Sequence, residues 1–195
     1  MKILTVATAH LDTSWLWTLE TTVKHLLPNT MRWNFSLFER YPAYKFNFEG
    51  ACRYELMEEY YPADFARLKE YVAAGRWVPT GASYENGDVN MPSPEALFRS
   101  VLLGNDYFEK QFGLRCVDIF LPDCFGFGYA LPSVMAHSGL YGFATCKLTW
   151  GSGPWPAIRF GPLVRCGRQL RPRGNPPGAL HRRDRYPARR QGPGQ

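Results

Sequence analysis

The chain has 195 residues, of which 45% are hydrophobic and 15% aromatic, which is enough for one domain with a sizeable core. Its net charge of +6 is uneven: residues 153–195 hold ten Arg and one Asp, so this tail contributes +9 and residues 1–152 contribute −3. A nucleic-acid-binding function inferred from the basic composition therefore depends on the tail alone. No apolar stretch approaches the ~18 residues of a membrane-spanning helix, so no membrane partner is expected.

The first half of the chain alternates between strand and helix patterns. Residues 2–8 and 44–49 have the β-branched or alternating composition of strands. Residues 16–27 have helical composition, and Pro28 is expected to end that helix. Residues 54–74 form a longer helical stretch that is interrupted near Pro62 and ended by Gly75.

The second half continues this alternation. A strand is predicted at residues 76–80, followed by a helix with Ser93 as N-cap that ends near Gly113. A strand at 117–121, a helix at 131–137 and a strand at 143–148 follow. This order predicts an α/β fold with a mostly parallel sheet, in which polar loops at the carboxyl ends of the strands carry the chemistry.

The cysteines and the N-terminal residues predict the cellular compartment of the protein. There are five cysteines, none in a C-x-x-C pair, and an odd number argues against a disulfide framework and fits a reducing compartment. The N-terminal apolar run is broken by His10 and Asp12, too early for a secretory signal. These features predict a cytoplasmic protein, and nothing in the sequence indicates an oligomeric state.

Three polar segments follow predicted strands. His10 and Asp12 are two residues apart, so in an extended segment both side chains could reach one divalent metal; alternatively, Asp12 caps a helix that begins near Trp15. Asp123 directly follows a strand and precedes a glycine-rich segment, where it could equally initiate a turn. The segment GASYENGDVN (81–90) could line a polar pocket or form a solvated loop.

Together and in this order, these segments resemble glycoside hydrolase family 38, the α-mannosidases, and its bacterial members in particular. The resemblance lies in AHLDTSWLW (9–17), FNFEGACRY (46–54), MEEYYP (57–62), GRWVPTGASYENGDVNMPSPEAL (75–97), LPDCFGFGYALP (121–132) and GFATCKLTWGS (142–152). These segments cover nearly all of residues 1–152. The resemblance implies that residues 1–152 are the N-terminal, incomplete part of a β/α-barrel-like catalytic domain.

The resemblance also implies a zinc-dependent retaining mechanism. His10, Asp12 and Asp123 match zinc ligands of the family, and Asp123 also matches its catalytic nucleophile. Glu85 and Asp88, together with Asn90, match a polar loop of the family for which no role is assigned.

The expected substrate is an α-mannoside or a mannose-containing oligosaccharide. Trp15 and Phe125 match aromatic residues that line the family's mannose subsite. Lys147 falls where the family places a basic residue of the substrate site.

The resemblance leaves two groups of the family's site without a counterpart. The acid/base carboxylate and a further zinc-binding His lie downstream in the family, and neither His137 nor His181 is at a matching position. The prediction is therefore a zinc site without its fourth protein ligand and a truncated fragment that is inactive on its own.

Residues 153–195 differ in kind from the rest of the chain. They contain 15 Pro and Gly residues and no Lys, which is typical of a disordered tail. One possible set of codons for residues 162–170 encodes Trp-Cys-Gly-Ala-Asp-Gly-Asn when it is read one base further on. That peptide fits the F-G-x-W-x-G-x-D-G pattern of the family. This suggests the hypothesis that a frameshift between about residues 152 and 163 replaced the native continuation.

Two other functions are compatible with parts of the sequence. A polysaccharide deacetylase-like zinc hydrolase also uses an H-x-D motif, although the LPDCFG and GDVN segments argue against it. A non-enzymatic nucleic-acid binder could use the Arg-rich tail, but the tail lacks the interleaved aromatic residues on which bases stack, so nucleic acid is not the expected partner.

Overall fold

The computed structural model describes residues 6–147 and the backbone of three short strands beyond them. In chain order the elements are β1 (Ala7–Ala9), α1 (Leu19–Thr21), a π-helix (Thr22–Leu26), α2 (Leu27–Arg40), β2 (Phe46–Glu49), α3 (Ala51–Tyr60), α4 (Pro62–Ala73), β3 (Trp77–Thr80), α5 (Pro94–Phe112), β4 (Asp118–Phe120), α6 (Leu131–His137), β5 (Gly142–Thr145), β6 (Arg159–Phe160), β7 (Val164–Arg165) and β8 (Arg168–Gln169).

The strands confirm the predicted α/β fold with parallel pairing. β1, β2 and β3 pair in parallel in that order, with Ala9 opposite Phe48. β4 pairs in parallel with β5, and β5 pairs antiparallel with β6. The backbone N–H of Ala82 donates to the carbonyl of Asp118 at 2.8 Å, which joins the end of β3 to β4. The loops that follow β1, β2, β3 and β4 therefore leave the strands in the same direction.

Trp77 lies at the centre of the core, on the inner face of β3. Its ring is fully buried and contacts a cluster of aromatic rings, namely Phe35, Phe38, Phe46, Phe48 and Tyr54. Its indole N–H donates to the Tyr54 hydroxyl at 2.9 Å, and that hydroxyl donates to the Phe48 carbonyl at 2.8 Å. Every polar atom of this buried pair thus has a partner, as burial requires.

The predicted end of the first helix at Pro28 is wrong. The helical segment continues through Pro28 to Arg40, because the π-helix ends at Leu26 and the α-helical register restarts at Leu27. Pro28 therefore lies in the first turn of α2, where proline is tolerated best. The sequence pattern gave no sign of the π-helical turn that allows this restart.

Other boundaries agree with the sequence. The stretch predicted at 54–74 begins three residues earlier and divides into α3 and α4 at Tyr61, next to Pro62. Ser93 caps α5 by accepting a hydrogen bond from the backbone N–H of Ala96 at 3.2 Å. Gly113 ends α5 with a left-handed φ of 66°.

The predicted strand at residues 2–8 extends to Ala9, and its first residues lie outside the described part of the chain, as does residue 148 of the last predicted strand. Within residues 153–195 only the strands β6, β7 and β8 are described, so the disordered tail and the frameshift remain predictions. Among the described helices, none has the length and apolar character needed to span a bilayer.

Gly104 lets α5 pack directly on the backbone at the start of the polar loop at residues 81–90. A Cβ at this position would lie 2.2 Å from the carbonyl oxygen of Ala82 and 2.6 Å from the backbone of Ser83 and Tyr84. All three contacts are with backbone atoms, which cannot rotate away as a side chain can. Gly104 therefore fixes the position of segment 82–84, which precedes Glu85.

We expect Gly104→Ala to destabilise the protein by about 1–3 kcal/mol, because overpacking against backbone outweighs the ~1 kcal/mol that Ala gains over Gly in a helix. Gly87→Ala is the matched control, since a Cβ at Gly87 meets nothing within 4 Å. Urea unfolding of both variants measures the difference, and equal midpoints for the two would contradict the packing argument.

Candidate active site

A cleft of about 750 Å³ opens at the carboxyl ends of the strands. It is lined by residues from the loops after β1, β3, β4 and β5, among them all six residues that the sequence predicts for the site: His10, Asp12, Trp15, Asp123, Phe125 and Lys147. Residues that are up to 137 positions apart in sequence thus meet in one cleft, as expected for loops at one edge of a parallel sheet.

His10 and Asp12 lie side by side at the end of β1. The distance from His10 Nε2 to Asp12 Oδ1 is 3.3 Å. Two ligands bound about 2.0–2.2 Å from a tetrahedral zinc ion lie about 3.3–3.5 Å apart, so this spacing suits two ligands of one metal. The alternative role for Asp12 as a helix cap is not observed, because α1 begins at Leu19 and Thr18 supplies its N-cap.

Glu49 is a site residue that the sequence analysis did not single out. It is fully buried at the end of β2, and its Oε1 makes a hydrogen bond with His10 Nδ1. The hydrogen bond that His10 makes to the Glu49 carboxylate raises the pKa of His10 above its ordinary value, whereas burial acts to lower it. A carboxylate that holds one imidazole nitrogen leaves the other nitrogen directed at the cleft, as in many metal sites.

A sequence signal for Glu49 did exist. The predicted strand 44–49 ends in FNFE, and Glu49 is the only charged residue in this tetrapeptide. A carboxylate at the buried carboxyl end of a parallel strand requires a partner, and His10 occupies the corresponding position after the neighbouring strand. Its second oxygen, Oε2, is buried without a hydrogen-bond partner in the structure.

Asp123 lies in the turn after β4 and faces the cleft with its side chain 41% exposed. Lys147 Nζ lies 2.5 Å from Asp123 Oδ1 and 4.5 Å from the centroid of the Phe125 ring. Lys147 itself is largely buried, so its charge is compensated by the carboxylate and by the face of the aromatic ring. The three residues form one contact group in the lining of the cleft.

Two aromatic side chains stand exposed at the cleft. Trp15 is 70% and Phe125 69% exposed, although both are large and apolar. The backbone near Trp15 is anchored, since Thr22 Oγ1 donates to the carbonyl of Thr13 and accepts from the indole N–H of Trp17, both at 2.8 Å. Exposed aromatic rings on an anchored loop are typical of a ligand-binding surface.

The polar loop at 81–90 divides into two parts with different roles. Glu85 is directed away from the cleft and forms an ion pair with the buried Arg53 at 2.8 Å, whereas Asp88 and Asn90 line the cleft. The Asn90 amide lies against the glycine-rich segment after Asp123, where a Cβ on Gly126 would lie 2.8 Å from Asn90 Nδ2. The loop is therefore neither wholly solvated nor wholly part of the cleft.

No three His, Cys, Asp or Glu side chains within residues 6–147 come close enough together to form a metal site. His10 and Asp12 supply two donors of the type and spacing that zinc prefers. Asp123, the third residue that the sequence predicts as a ligand, makes its contact with Lys147 instead. The residues described thus fit part of a metal site.

Comparisons with known proteins give the family. The family model for the glycosyl hydrolases family 38 N-terminal domain matches residues 1–154. Alpha-mannosidase G of Dictyostelium discoideum is 37% identical over 151 residues, which are 77% of this chain and 14% of that protein. Human alpha-mannosidase 2C1 is 36% identical over 141 residues, 72% of this chain and 14% of that protein.

A solved structure has the same fold. The crystal structure of an alpha-mannosidase from Enterococcus faecalis V583 superimposes with a TM-score of 0.63 at 23% identity, over 72% of this chain and 16% of that chain. The described part of this chain thus shares its α/β fold with that protein. The chain belongs to glycosyl hydrolase family 38, and it spans 14% of the length of the curated relatives named above.

The Arg53–Glu85 pair generates a pH-dependent prediction. Burial alone raises the pKa of Glu85, but the charge of Arg53 and hydrogen bonds from Cys52, Thr13 and Asn86 together lower it below its ordinary value of 4.5. A lowered pKa in the folded state stabilises the fold above pH 4.5, and this contribution is lost as the pH falls through the folded pKa.

We therefore expect Glu85→Gln to lower the free energy of unfolding by about 1–2 kcal/mol at pH 7. This value lies between the contributions of exposed and of buried ion pairs, because Arg53 is buried and Glu85 is 40% exposed. The difference from the unsubstituted protein should shrink as the pH falls below 4.5. Urea unfolding at several pH values measures it, with Glu109→Gln in the exposed Arg115 pair as the control. A difference that is independent of pH would contradict the assignment.

Proposed function

We propose that residues 1–152 supply the nucleophile side of a retaining α-mannosidase site. The observation that carries this proposal is the cleft, which brings Asp123, the His10–Asp12 pair and two exposed aromatic side chains together in a chain of family 38. The name alpha-mannosidase belongs to the relatives, and the proposal extends their substrate class, a terminal α-mannosyl residue, to this chain.

In the proposed reaction, an oxygen of Asp123 attacks the anomeric carbon of the mannoside and forms a covalent glycosyl-enzyme, which water then hydrolyses. Lys147 holds the other side of this carboxylate in position and compensates its charge before the substrate binds. Trp15 and Phe125 offer apolar faces to the sugar ring. A second carboxylic acid, about 5–5.5 Å from the first, must protonate the leaving oxygen.

The proposal includes a zinc ion held by His10 and Asp12 with further ligands. A bound zinc ion would orient vicinal sugar hydroxyls and act as a Lewis acid. Glu49 supports this assignment, because it fixes His10 so that Nε2 faces Asp12. Asp123 would have to exchange its Lys147 contact for the metal to complete a third ligand.

The acid/base carboxylate is assigned to a part of the family's domain that has no match in this chain. Within residues 6–147, the carboxylates of the cleft are Asp12, Asp88 and Asp123. Asp12 is proposed as a ligand, and Asp88 accepts a hydrogen bond from the backbone N–H of Asn90 at 2.7 Å. We therefore propose that the 195-residue chain is inactive on its own.

A chimera tests the function. Residues 1–152 should replace the matching segment of Dictyostelium alpha-mannosidase G, and the product should hydrolyse an aryl α-mannoside. Asp123→Asn in the chimera should lower kcat by a factor of 10³ or more, since it removes the nucleophile. Asp106→Asn, on the exposed face of α5, is the matched control.

The unmodified 195-residue chain should show no turnover in the same assay. Turnover by this chain alone would refute the inactivity proposal. A folded chimera that cleaves an acetylated sugar but no mannoside would replace the proposal with the deacetylase alternative.

Zinc binding is tested separately with the 195-residue chain. We expect His10→Ala and Asp12→Asn each to weaken zinc binding by at least tenfold, because each removes one of few ligands. Asp64→Asn, which affects an exposed ion pair on another face, is the control. Isothermal titration with zinc chloride gives the affinities, and equal affinities in all four proteins would exclude His10 and Asp12 as ligands.

The frameshift hypothesis is decided by the nucleotide sequence. If it holds, an alternative reading frame downstream of codon 152 encodes the family's F-G-x-W-x-G-x-D-G pattern. If every frame over the following kilobase lacks mannosidase-like sequence, residues 153–195 are native.

A further inference from the structure

Arg53 is a buried cation directly beneath the segment that carries His10 and Asp12. Its side chain is 1% exposed, although it begins in the first turn of α3, after β2. Its Nε donates to the backbone carbonyl of Leu11, the residue between His10 and Asp12. The guanidinium group thus holds the main chain between the two candidate metal ligands.

Glu85 completes this contact from the other side of Asp12. It accepts from Arg53 Nη2 at 2.8 Å and from the hydroxyl of Thr13 at 2.5 Å. The thiol of Cys52 also donates to Glu85 at 2.9 Å. Arg53 therefore holds the residue before Asp12, and Glu85 holds the residue after it.

The backbone at Gly50 is shaped to admit this guanidinium group. Gly50 has a left-handed φ of 78°, and a Cβ at this position would lie 2.0 Å from Arg53 Nη1. The space that the missing side chain leaves is therefore filled by the arginine. A buried cation is costly unless it is paired and hydrogen-bonded, so a structure that makes room for one indicates a specific role.

We propose that Arg53 and Glu85 are positioning residues that hold segment 11–13 and thereby fix the orientation of Asp12 relative to His10. The pair joins the loop after β1, the first turn of α3 and the loop after β3 into one unit. The proposal rests on the proposed function only where it concerns metal binding. Its structural part concerns the segment itself and is tested without metal.

The test uses the 195-residue chain with Arg53→Lys and Glu85→Gln. Lysine keeps the charge but cannot reach both the Leu11 carbonyl and Glu85, because it lacks the forked guanidinium. Arg32→Lys is the matched control, since Arg32 pairs with Asp64 on an exposed surface. Hydrogen exchange of peptides covering residues 9–15 is measured without metal, with the α4 peptide 62–73 as internal reference.

We expect exchange in residues 9–15 to be on the order of tenfold faster in Arg53→Lys, with the α4 peptide unchanged, because a charge-assisted hydrogen bond is lost. Zinc affinity should fall by about 10–100-fold, as for other residues that orient metal ligands. Glu85→Gln should change both quantities in the same direction and by less, and Arg32→Lys should change neither.

Unchanged exchange at residues 9–15 in both variants would overturn the proposal. An equal rise in the α4 peptide would also overturn it, because the pair would then stabilise the domain in general. If the unsubstituted chain binds no zinc, the metal part of the proposed function fails, and the exchange measurement still decides the positioning role. If Arg53→Lys does not fold, Glu85→Gln, whose side chain is part-exposed, decides in its place.

Discussion

Ala9 pairs with Phe48 and Glu49 pairs with Thr80, so β1, β2 and β3 end at nearly the same level. The parallel register therefore brings His10, the next residue after β1, beside Glu49 at the end of β2. A shift of β2 by one residue relative to its neighbours would turn the Glu49 side chain to the opposite face of the sheet. The pairing of these three strands is thus the constraint on which the geometry of the cleft depends.

Two buried ionisable side chains lie near this edge of the sheet, and their contacts differ. Glu49 makes a hydrogen bond with His10 through Oε1, and its Oε2 has no hydrogen-bond partner in the structure. Arg53 has a carboxylate, a backbone carbonyl and a thiol around it. The residues that support His10 and Asp12 are therefore held by polar contacts, in contrast to the aromatic core around Trp77.

The sequence predicted the α/β class and most elements because their signals are local. Ser93 caps α5, and Gly113 ends it, through interactions within a few residues. The course of the chain past Pro28 could not be predicted, because the π-helical turn before it has no distinctive composition. Local signals thus define elements well where caps are present, and poorly where one helix type passes into another.

The candidate site was predicted in its exposed part and missed in its buried part. His10 and Asp123 follow strands in polar segments, which marks them in the sequence, and both line the cleft. Glu49 was marked only as the lone carboxylate at the end of FNFE, and Arg53 lies within a helical segment; their partners are 32 or more residues away. Such contacts follow from the strand order and register, which a single sequence does not specify.

The space at Gly50 makes the placement of Arg53 depend on the residue at position 50. While Arg53 is present, any side chain at position 50 would collide with its guanidinium, so glycine is required by volume as well as by its φ of 78°. Shortening the side chain at position 53 would remove this collision, but the backbone at position 50, with φ 78° and ψ 105°, lies outside the left-handed helical region that asparagine tolerates. Glycine is therefore needed at position 50 with or without the arginine, whereas the buried place of the arginine exists only while position 50 is glycine.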